Sequence, residues 1–571
     1  MKSRREALKA IENGSFDVCV IGGGATGAGC ALDAQLRGLK TVLIEGADFA
    51  SGSSNASTKM VHGGVRYLEQ AVRGWDVREF KVVKRALRER IHMLRNAPFL
   101  TGAKRFIAPC YSWRDAAYYE AGLKLYDWIA GEAGLGASAF LSREEALRRI
   151  PGLNAKGLVG AVAYTDGQFD DARYNIALVQ KFSEADGEAL NYARVIGFGK
   201  RGDGKIETAE IEDQLSGRRF AVGARAIVNA TGAFADTIRE MASPGIEPRM
   251  RLSRGVHILL PLEVLAGEQA AAKQSGGAAS AHECDALLVP KTEDRRVLFA
   301  IPWMGRLLVG TTDEEVKGVE QRGVTEAEVE YLLRHLNRHL AKEVKRGEIV
   351  GGFAGVRPLV TAMEPRRSRK PETKSLARDH EVEADRASGL ISIMGGKWTT
   401  YRAMAEDTIN AVERYLGRKV TPCRTSEFPL AGSDGFTGEY WRSLVQEFGI
   451  TEASAKHLAE KFGTSAAEVM AVAKENPQLM ATLAEGLAPL AAEVVFCVRQ
   501  EMASSIDDIL ARRIGLEFYG WREAMAAAPA VADLLGAELG WSPEERQKEL
   551  RKYIARIKEQ MIVTSHEKKQ S

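Results

Sequence analysis

The sequence predicts an α/β dinucleotide-binding domain, an interleaved antiparallel β-sheet domain and an all-helical C-terminal domain. Three observations carry this. An apolar strand pattern, Phe16-Asp17-Val18-Cys19-Val20-Ile21, runs into Gly22-Gly23-Gly24-Ala25-Thr26-Gly27, a G-x-G-x-x-G turn. A second apolar run, Thr41-Val42-Leu43-Ile44, ends at an acid, Glu45. Past Cys423 the strand signals fade, and 437–571 is rich in Ala, Leu, Glu and Arg at helical spacing.

The first element explains itself residue by residue. Gly22 permits the tight turn, Gly24 lets the backbone approach a pyrophosphate, and Gly27 lets the following helix (28–36) pack on the strand. Thr26 stands at the helix start, where N–H groups and the positive dipole end face a diphosphate. Glu45 is placed to accept hydrogen bonds from ribose hydroxyls, and its charge disfavours a 2′-phosphate, so NADP does not fit. Both strands and the acid at fingerprint spacing point to dinucleotide binding over an ordinary tight turn.

Composition bounds the rest. At 571 residues the chain exceeds one core, and 45% hydrophobic with 27% charged residues is ordinary globular usage. A net charge of +3 is too small to indicate nucleic acid. The six cysteines are scattered, without a C-x-x-C pair or metal-ligand spacing, which is reduced usage. Cys19 and Cys30 are expected as buried thiols. No secretory h-region follows the N-terminus, and no run reaches the roughly 20 apolar residues of a membrane span. Near the other end, Arg551, Lys552, Arg556 and Lys558 interleave with Tyr553, Ile554, Ile557 and Met561. Such a helix either lies on an anionic membrane or packs on its own domain.

Taken in order, 51–67 is a polar glycine-rich loop and 76–94 a basic helix. A helix over 141–152 ends at Pro151-Gly152, 165–170 reads as a turn, and 171–185 is helical. A β-meander over 205–229 closes in a buried strand that enters a small-residue turn at Gly232, a second contact for the dinucleotide. The segment 263–283 reads as an Ala/Gly/Ser-rich mobile surface loop. Strands are predicted at 286–289, 296–303 and 306–310, and a charged helix at 325–343. The dinucleotide domain is thus assembled from 15–95, 150–250 and 350–420, the sheet domain from 96–149 and 251–349, and the helical domain from 425–571.

Beyond the fingerprint, three blocks are more specific. They are S-S-x-x-S-T-K-x-x-H-G-G-x-R-Y-L-E over Ser53 to Glu69, Phe353-Ala354-Gly355-Val356-Arg357-Pro358-Leu359, and Gly395-Gly396-Lys397-Trp398-Thr399-Thr400-Tyr401-Arg402. On these the chain resembles the FAD-dependent glycerol-3-phosphate dehydrogenases, quinone-linked respiratory enzymes, from about residue 15 to about residue 530. The resemblance implies a glutathione-reductase-related, amino-acid-oxidase-like architecture. It implies FAD, expected non-covalent because the cysteine and histidine positions give no clear tether. The implied reaction oxidises sn-glycerol 3-phosphate to dihydroxyacetone phosphate by hydride transfer from C2 to FAD. Electrons then pass to a membrane quinone. Implied too is a peripheral place on the cytoplasmic face of the inner membrane; the oligomeric state, a homodimer among the alternatives, stays open.

The resemblance also implies roles. Arg66, Arg378 and Lys397 would hold the substrate phosphate, with Tyr67 and Thr400 as neutral donors. Arg357 would stabilise charge developing on the C2 oxygen, and His62 or His257 would take its proton. Ser53, Ser54, Ser57 and Thr58 would lie along the diphosphate or the flavin ring. Gly396, Lys397 and Thr399 would supply a glycine-rich helix start beside the flavin. Thr311-Thr312-Asp313 matches the family without an evident role. Glu493, Arg499, Glu501, Asp507, Arg512 and Arg513 read as interhelical ion pairs. Alternatives stay open: an oxygen-using glycerol-3-phosphate oxidase, whose extra insertion is not found here; an amine or amino-acid oxidase, which would want one arginine in an apolar pocket; and a non-catalytic flavin-binding membrane-associated subunit. The set His62, Arg66, Arg357 and Lys397 argues against the last.

Overall fold

The computed structural model describes residues 1–64, 77–267, 284–290, 292–294, 296–319, 323–361 and 380–564. Strand Ser15–Ile21 is buried almost throughout, as its unbroken apolar run requires of a strand covered on both faces. It pairs in parallel with Thr41–Ile44 on one side and Arg219–Asn229 on the other. The sheet runs His380–Ala384, Ile391–Gly395, Arg219–Asn229, Ser15–Ile21, Thr41–Ile44, Glu188–Leu190. Strands Ala193–Lys200 and Ile206–Asp213 extend it beside Arg219–Asn229. Helix Ala25–Leu36 packs against helices Asp171–Glu184 and Tyr401–Tyr415. Cys19 and Cys30 are buried free thiols.

The second sheet is largely antiparallel, with one parallel pair between Ala286–Val289 and Thr101–Cys110. Two of its strands depart from the sequence reading. Gly160–Phe169 is a continuous strand, although 165–170 carries turn residues. Ten paired residues with Thr101–Cys110 outweigh local preference. Its buried Asp166 is satisfied by Arg90 Nη1 at 2.6 Å and the Tyr126 hydroxyl at 2.8 Å. Likewise Gly351–Val360 pairs along Met250–Pro261, so both segments lie in the second sheet and not in the dinucleotide-binding one. The helix predicted at 141–152 is shorter, Arg143–Arg149, because Ala139–Ser142 is a strand whose last residue N-caps it. The charged helix spans Glu326–Asn337, opened by a Thr325–Glu328 capping box. Of the predicted loop 263–283, Glu263–Ala266 forms one helical turn and 268–283 lies outside the described residues.

After Gly395 the described chain is helical, but it does not stand apart. Most of its apolar residues from Leu444 on share one core with the second sheet, from Ile107 and Val256 to Val531 and Ile557, whereas Tyr401, Ile409 and Val412 belong to the core of the dinucleotide domain. Charged residues tie it to the dinucleotide domain as well. Buried Asp48 accepts from Arg512 Nε at 2.7 Å and from Arg513 Nη1 at 2.8 Å, and Arg173 pairs with Glu501 at 2.7 Å. The predicted interhelical pairing holds for Arg499 with Glu538 and Glu475, Arg513 with Glu501, and Asp507 with Arg556, while Glu501, Arg512 and Arg513 also bridge domains. The terminal helix Pro543–Thr564 buries Tyr553 and Ile557, and Arg556 pairs with Asp507 and Glu517 at 2.7 Å. That apolar face is covered by its own domain. Among the described residues no helix is long and apolar enough to cross a membrane.

Candidate active site

A cavity of about 1400 Å³ runs along the ends of both sheets, above the roughly 300–1,000 Å³ of a drug-sized site. The fingerprint turn forms one wall. Gly22 has φ +109°, a conformation few residues other than glycine adopt. A Cβ at Gly27 would stand 1.7 Å from the Gly22 carbonyl oxygen, and one at Gly24 would stand 2.8 Å from Ser54 Oγ. The helix begins at Ala25 without a side-chain cap from Gly24, so its first N–H groups open towards the cavity; that of Ala25 donates to Ser54 Oγ at 3.0 Å.

Glu45 lines this wall and accepts from the Gly23 and Ala47 N–H groups at 2.6 and 2.8 Å. Burial pushes its carboxyl above the ordinary value against the pull of those two donors. Its carboxylate thus braces the turn at the cavity wall. Thr26, Ser53, Ser57, Thr58 and Gly232 line the same cavity. Gly27 does not; it serves helix packing. Backbone cradle, unfilled helix start and acid together suit a diphosphate-linked dinucleotide.

The other end is built from the second sheet and the glycine block. Arg357 Nη2 donates to Thr311 Oγ1 at 2.8 Å and Nη1 to the Thr312 carbonyl at 3.2 Å, with Asp313 Oδ1 at 3.5 Å. The Thr311-Thr312-Asp313 turn, without an evident role in the sequence, is the seat of this guanidinium. Two glycines make the space. A Cβ at Gly255 would lie 2.3 Å from Arg357 Nη2, and one at Gly310 would lie 2.1 Å from His257 Cδ2. His257 stacks on Phe353 at 4.9 Å, and its Nε2 lies 3.1 Å from Thr58 Oγ1. Burial first, then the Arg357 and Lys59 charges, hold its imidazole well below the ordinary histidine range.

Lys397 and His62 line the cavity too. Gly395 and Gly396 both take positive φ, +75° and +86°, and turn the chain into Trp398–Thr400 and then the helix Tyr401–Tyr415. Trp398 Nε1 donates to the Ser54 carbonyl at 2.9 Å, and the His62 N–H donates to Thr399 Oγ1 at 3.2 Å, so this block clamps the serine-rich loop. Thr400 is buried off the cavity wall, its hydroxyl donating to the Lys397 carbonyl at 3.2 Å. Arg66, Tyr67 and Arg378 lie outside the described residues.

Comparison with known proteins agrees with this geometry. Residues 17–402 match the family described as FAD dependent oxidoreductase, and 423–546 the C-terminal domain of alpha-glycerophosphate oxidase. The mitochondrial glycerol-3-phosphate dehydrogenase of Mesocricetus auratus is 38% identical over 560 residues, 96% of this chain and 74% of that protein. The mitochondrial enzyme SDP6 of Arabidopsis thaliana is 37% identical over 565 residues, 95% of this chain and 86% of that one. The glycerol-3-phosphate dehydrogenase of Bacillus halodurans, solved with FAD, superposes with TM-score 0.76 at 27% identity, covering 99% of this chain and 98% of that one. With family models over both parts of the chain and relatives aligned along nearly all of it, the protein belongs to the FAD-dependent glycerol-3-phosphate dehydrogenases.

Proposed function

We propose that the protein oxidises sn-glycerol 3-phosphate to dihydroxyacetone phosphate, with a membrane quinone as the final oxidant. The observation that carries this is the placement of Arg357, His257 and Lys397 on one cavity that is continuous with the nucleotide fingerprint. When bound, FAD supplies the acceptor for the hydride that leaves C2. Every other demand falls on side chains. Lys397 offers a cation to the phosphate, joined in this reading by Arg66, Tyr67 and Arg378 of the family blocks. Thr400, held by the Lys397 carbonyl, acts by fixing that lysine's backbone.

Arg357 remains charged throughout, and the Thr311 hydroxyl, the Thr312 carbonyl and Asp313 fix its guanidinium. It therefore stabilises charge on the C2 oxygen without needing to reorganise. His257 is neutral at working pH, the form that takes a proton, and it shares its wall with Arg357. The wall shared with Arg357 favours it over His62, which lines the same cavity.

The acceptor half of the proposal rests on the far side of the cavity. Helix Trp113–Ala130 contributes Tyr118, Tyr119 and Leu125 to the cavity wall, which apolar Leu288 and Val297 also line. On its outside, Trp113 is 67% and Trp128 78% exposed. Apolar cavity lining on a helix that carries exposed aromatics suits a lipid-soluble oxidant and a peripheral membrane surface, here the cytoplasmic face of the inner membrane. The test is a steady-state assay with sn-glycerol 3-phosphate, comparing a soluble quinone with dioxygen. Turnover that follows the quinone, without stoichiometric peroxide, is expected; peroxide formed at the full rate would make the protein an oxidase.

A further inference from the structure

Lys59 belongs to the serine-rich block, yet nothing derived so far uses it. Its side chain is fully buried, and its backbone takes φ +59°, a left-handed conformation unusual for lysine. The ammonium donates to the Asn55 carbonyl at 2.7 Å and to Asp171 Oδ1. It also lies over three aromatic faces: Phe518 at 4.3 Å, Trp303 at 5.2 Å and Phe353 at 5.3 Å. One cation thus joins the helix Asp171–Glu184 of the dinucleotide domain, two strands of the second sheet and the C-terminal domain. A desolvated ammonium so placed is held by a carboxylate and ring quadrupoles together.

Two of these contacts lead to His257. Phe353 carries Lys59 on its ring and stacks with the imidazole at 4.9 Å. Thr58, next in the chain, places its hydroxyl 3.1 Å from His257 Nε2. We propose that Lys59 is a positioning residue for His257: its caged ammonium locks the ring and the hydroxyl that hold the imidazole, and keeps a positive charge facing it. The inference rests on the reading of His257 as the proton acceptor.

The charged groups around the imidazole are few. Lys59 faces it from the serine-rich loop, with Asp171 behind. Arg357 faces it from Gly351–Val360, with Asp313 at 3.5 Å from that guanidinium. On its own strand Arg254 pairs with Glu328 at 3.1 Å. The lysine and Arg357 both disfavour the imidazolium, in the same direction as burial. A neutral residue of the same length in place of Lys59 removes one of these effects and loosens the ring stack.

The test uses holoenzyme labelled with ¹³C-histidine. There are nine histidines, and the His257 Cε1 resonance is identified by its loss in H257Q. In the parent protein this resonance is expected to keep its neutral shift well below the ordinary histidine range. In K59M, which keeps the length and still packs against the rings, its midpoint is expected to rise, and K59R is expected to restore the parent behaviour. Should K59M fail to fold because Asp171 is stranded, K59M/D171N replaces the ion pair by a neutral pair, with a rise again expected. A His257 resonance that behaves alike in the parent and the Lys59 variants overturns the inference. The acidic limb of kcat/KM separates the two readings. If the resonance shifts and the limb does not, His257 is not the proton acceptor, yet Lys59 still positions it; if both shift together, both readings stand.

Discussion

Gly255→Ala tests the seating of Arg357 without touching a charged group. Gly255 does not have a positive φ, so alanine's backbone is tolerated there. The added methyl, however, would stand 2.3 Å from Arg357 Nη2 and 2.6 Å from Thr311 Oγ1, well inside contact distance. One of them must leave, and with it the 2.8 Å bond between them. Losing one preorganised donor at a developing oxyanion costs about 10²–10³ in kcat, about 3–4 kcal/mol, so a fall of about 10²-fold is expected. Overpacking costs about 1–3 kcal/mol of stability, which lowers the melting temperature but leaves FAD bound. The assay is kcat at saturating sn-glycerol 3-phosphate, with the FAD-to-protein ratio read from absorbance. Arg357→Ala should fall at least as far, and the double variant no further than Arg357→Ala alone, because both act on one interaction. A Gly255→Ala enzyme within about threefold of the parent kcat would refute the reasoning, since that is under about 1 kcal/mol of barrier.

Asp48→Ala removes the carboxylate that Arg512 and Arg513 share, leaving Arg512 with Asp507 and Asp508 and Arg513 with Glu501, and should cost about 3 kcal/mol, read as a shifted denaturant midpoint. Ile557→Ala, in the buried face of the terminal helix, should cost about 2–4 kcal/mol while leaving liposome sedimentation unchanged; release from liposomes would revive the tail as an anchor. Replacing Trp113 and Trp128 together by serine should weaken liposome sedimentation without changing stability by more than about 0.5 kcal/mol. Burial lowers His339 from 6.5 to about 4, so the unfolded chain binds that proton first and stability falls as pH drops through this window. His339→Asn should flatten the fall by about 2–3 kcal/mol near the lower end; an unchanged pH slope would remove His339 from it.

The fingerprint was legible because each of its residues answers to local geometry. Gly22, Gly24, Gly27 and Glu45 announce a turn, a helix start and a strand end within one short βαβ unit. The buried strands were legible for the same reason. Gly160–Phe169 was not, because Asp166 and Gly167 carry turn propensity and the strand exists through pairing with Thr101–Cys110. The placing of 350–420 in the dinucleotide domain has a similar cause, since Gly351–Val360 pairs with Met250–Pro261, about a hundred residues earlier. At the site, Arg357 and His257 stand in recognisable blocks, but the glycines that admit them do not. Gly255 and Gly310 matter through what lies across the sheet. The charged pattern of the C-terminal part was visible, while its partners Asp48 and Arg173, hundreds of residues away, were not.

The central claim is that a phosphorylated secondary alcohol, in this site, reduces bound FAD. Anaerobic mixing of purified holoenzyme with sn-glycerol 3-phosphate, followed by the visible absorbance of FAD, tests it most directly. Rapid loss of that absorbance with sn-glycerol 3-phosphate, none with glycerol or amino acids, and recovery much faster with a soluble quinone than with dioxygen are predicted. Persistent absorbance with sn-glycerol 3-phosphate, or equal bleaching by an amino acid, would contradict the assignment of the cationic end of the cavity to phosphate.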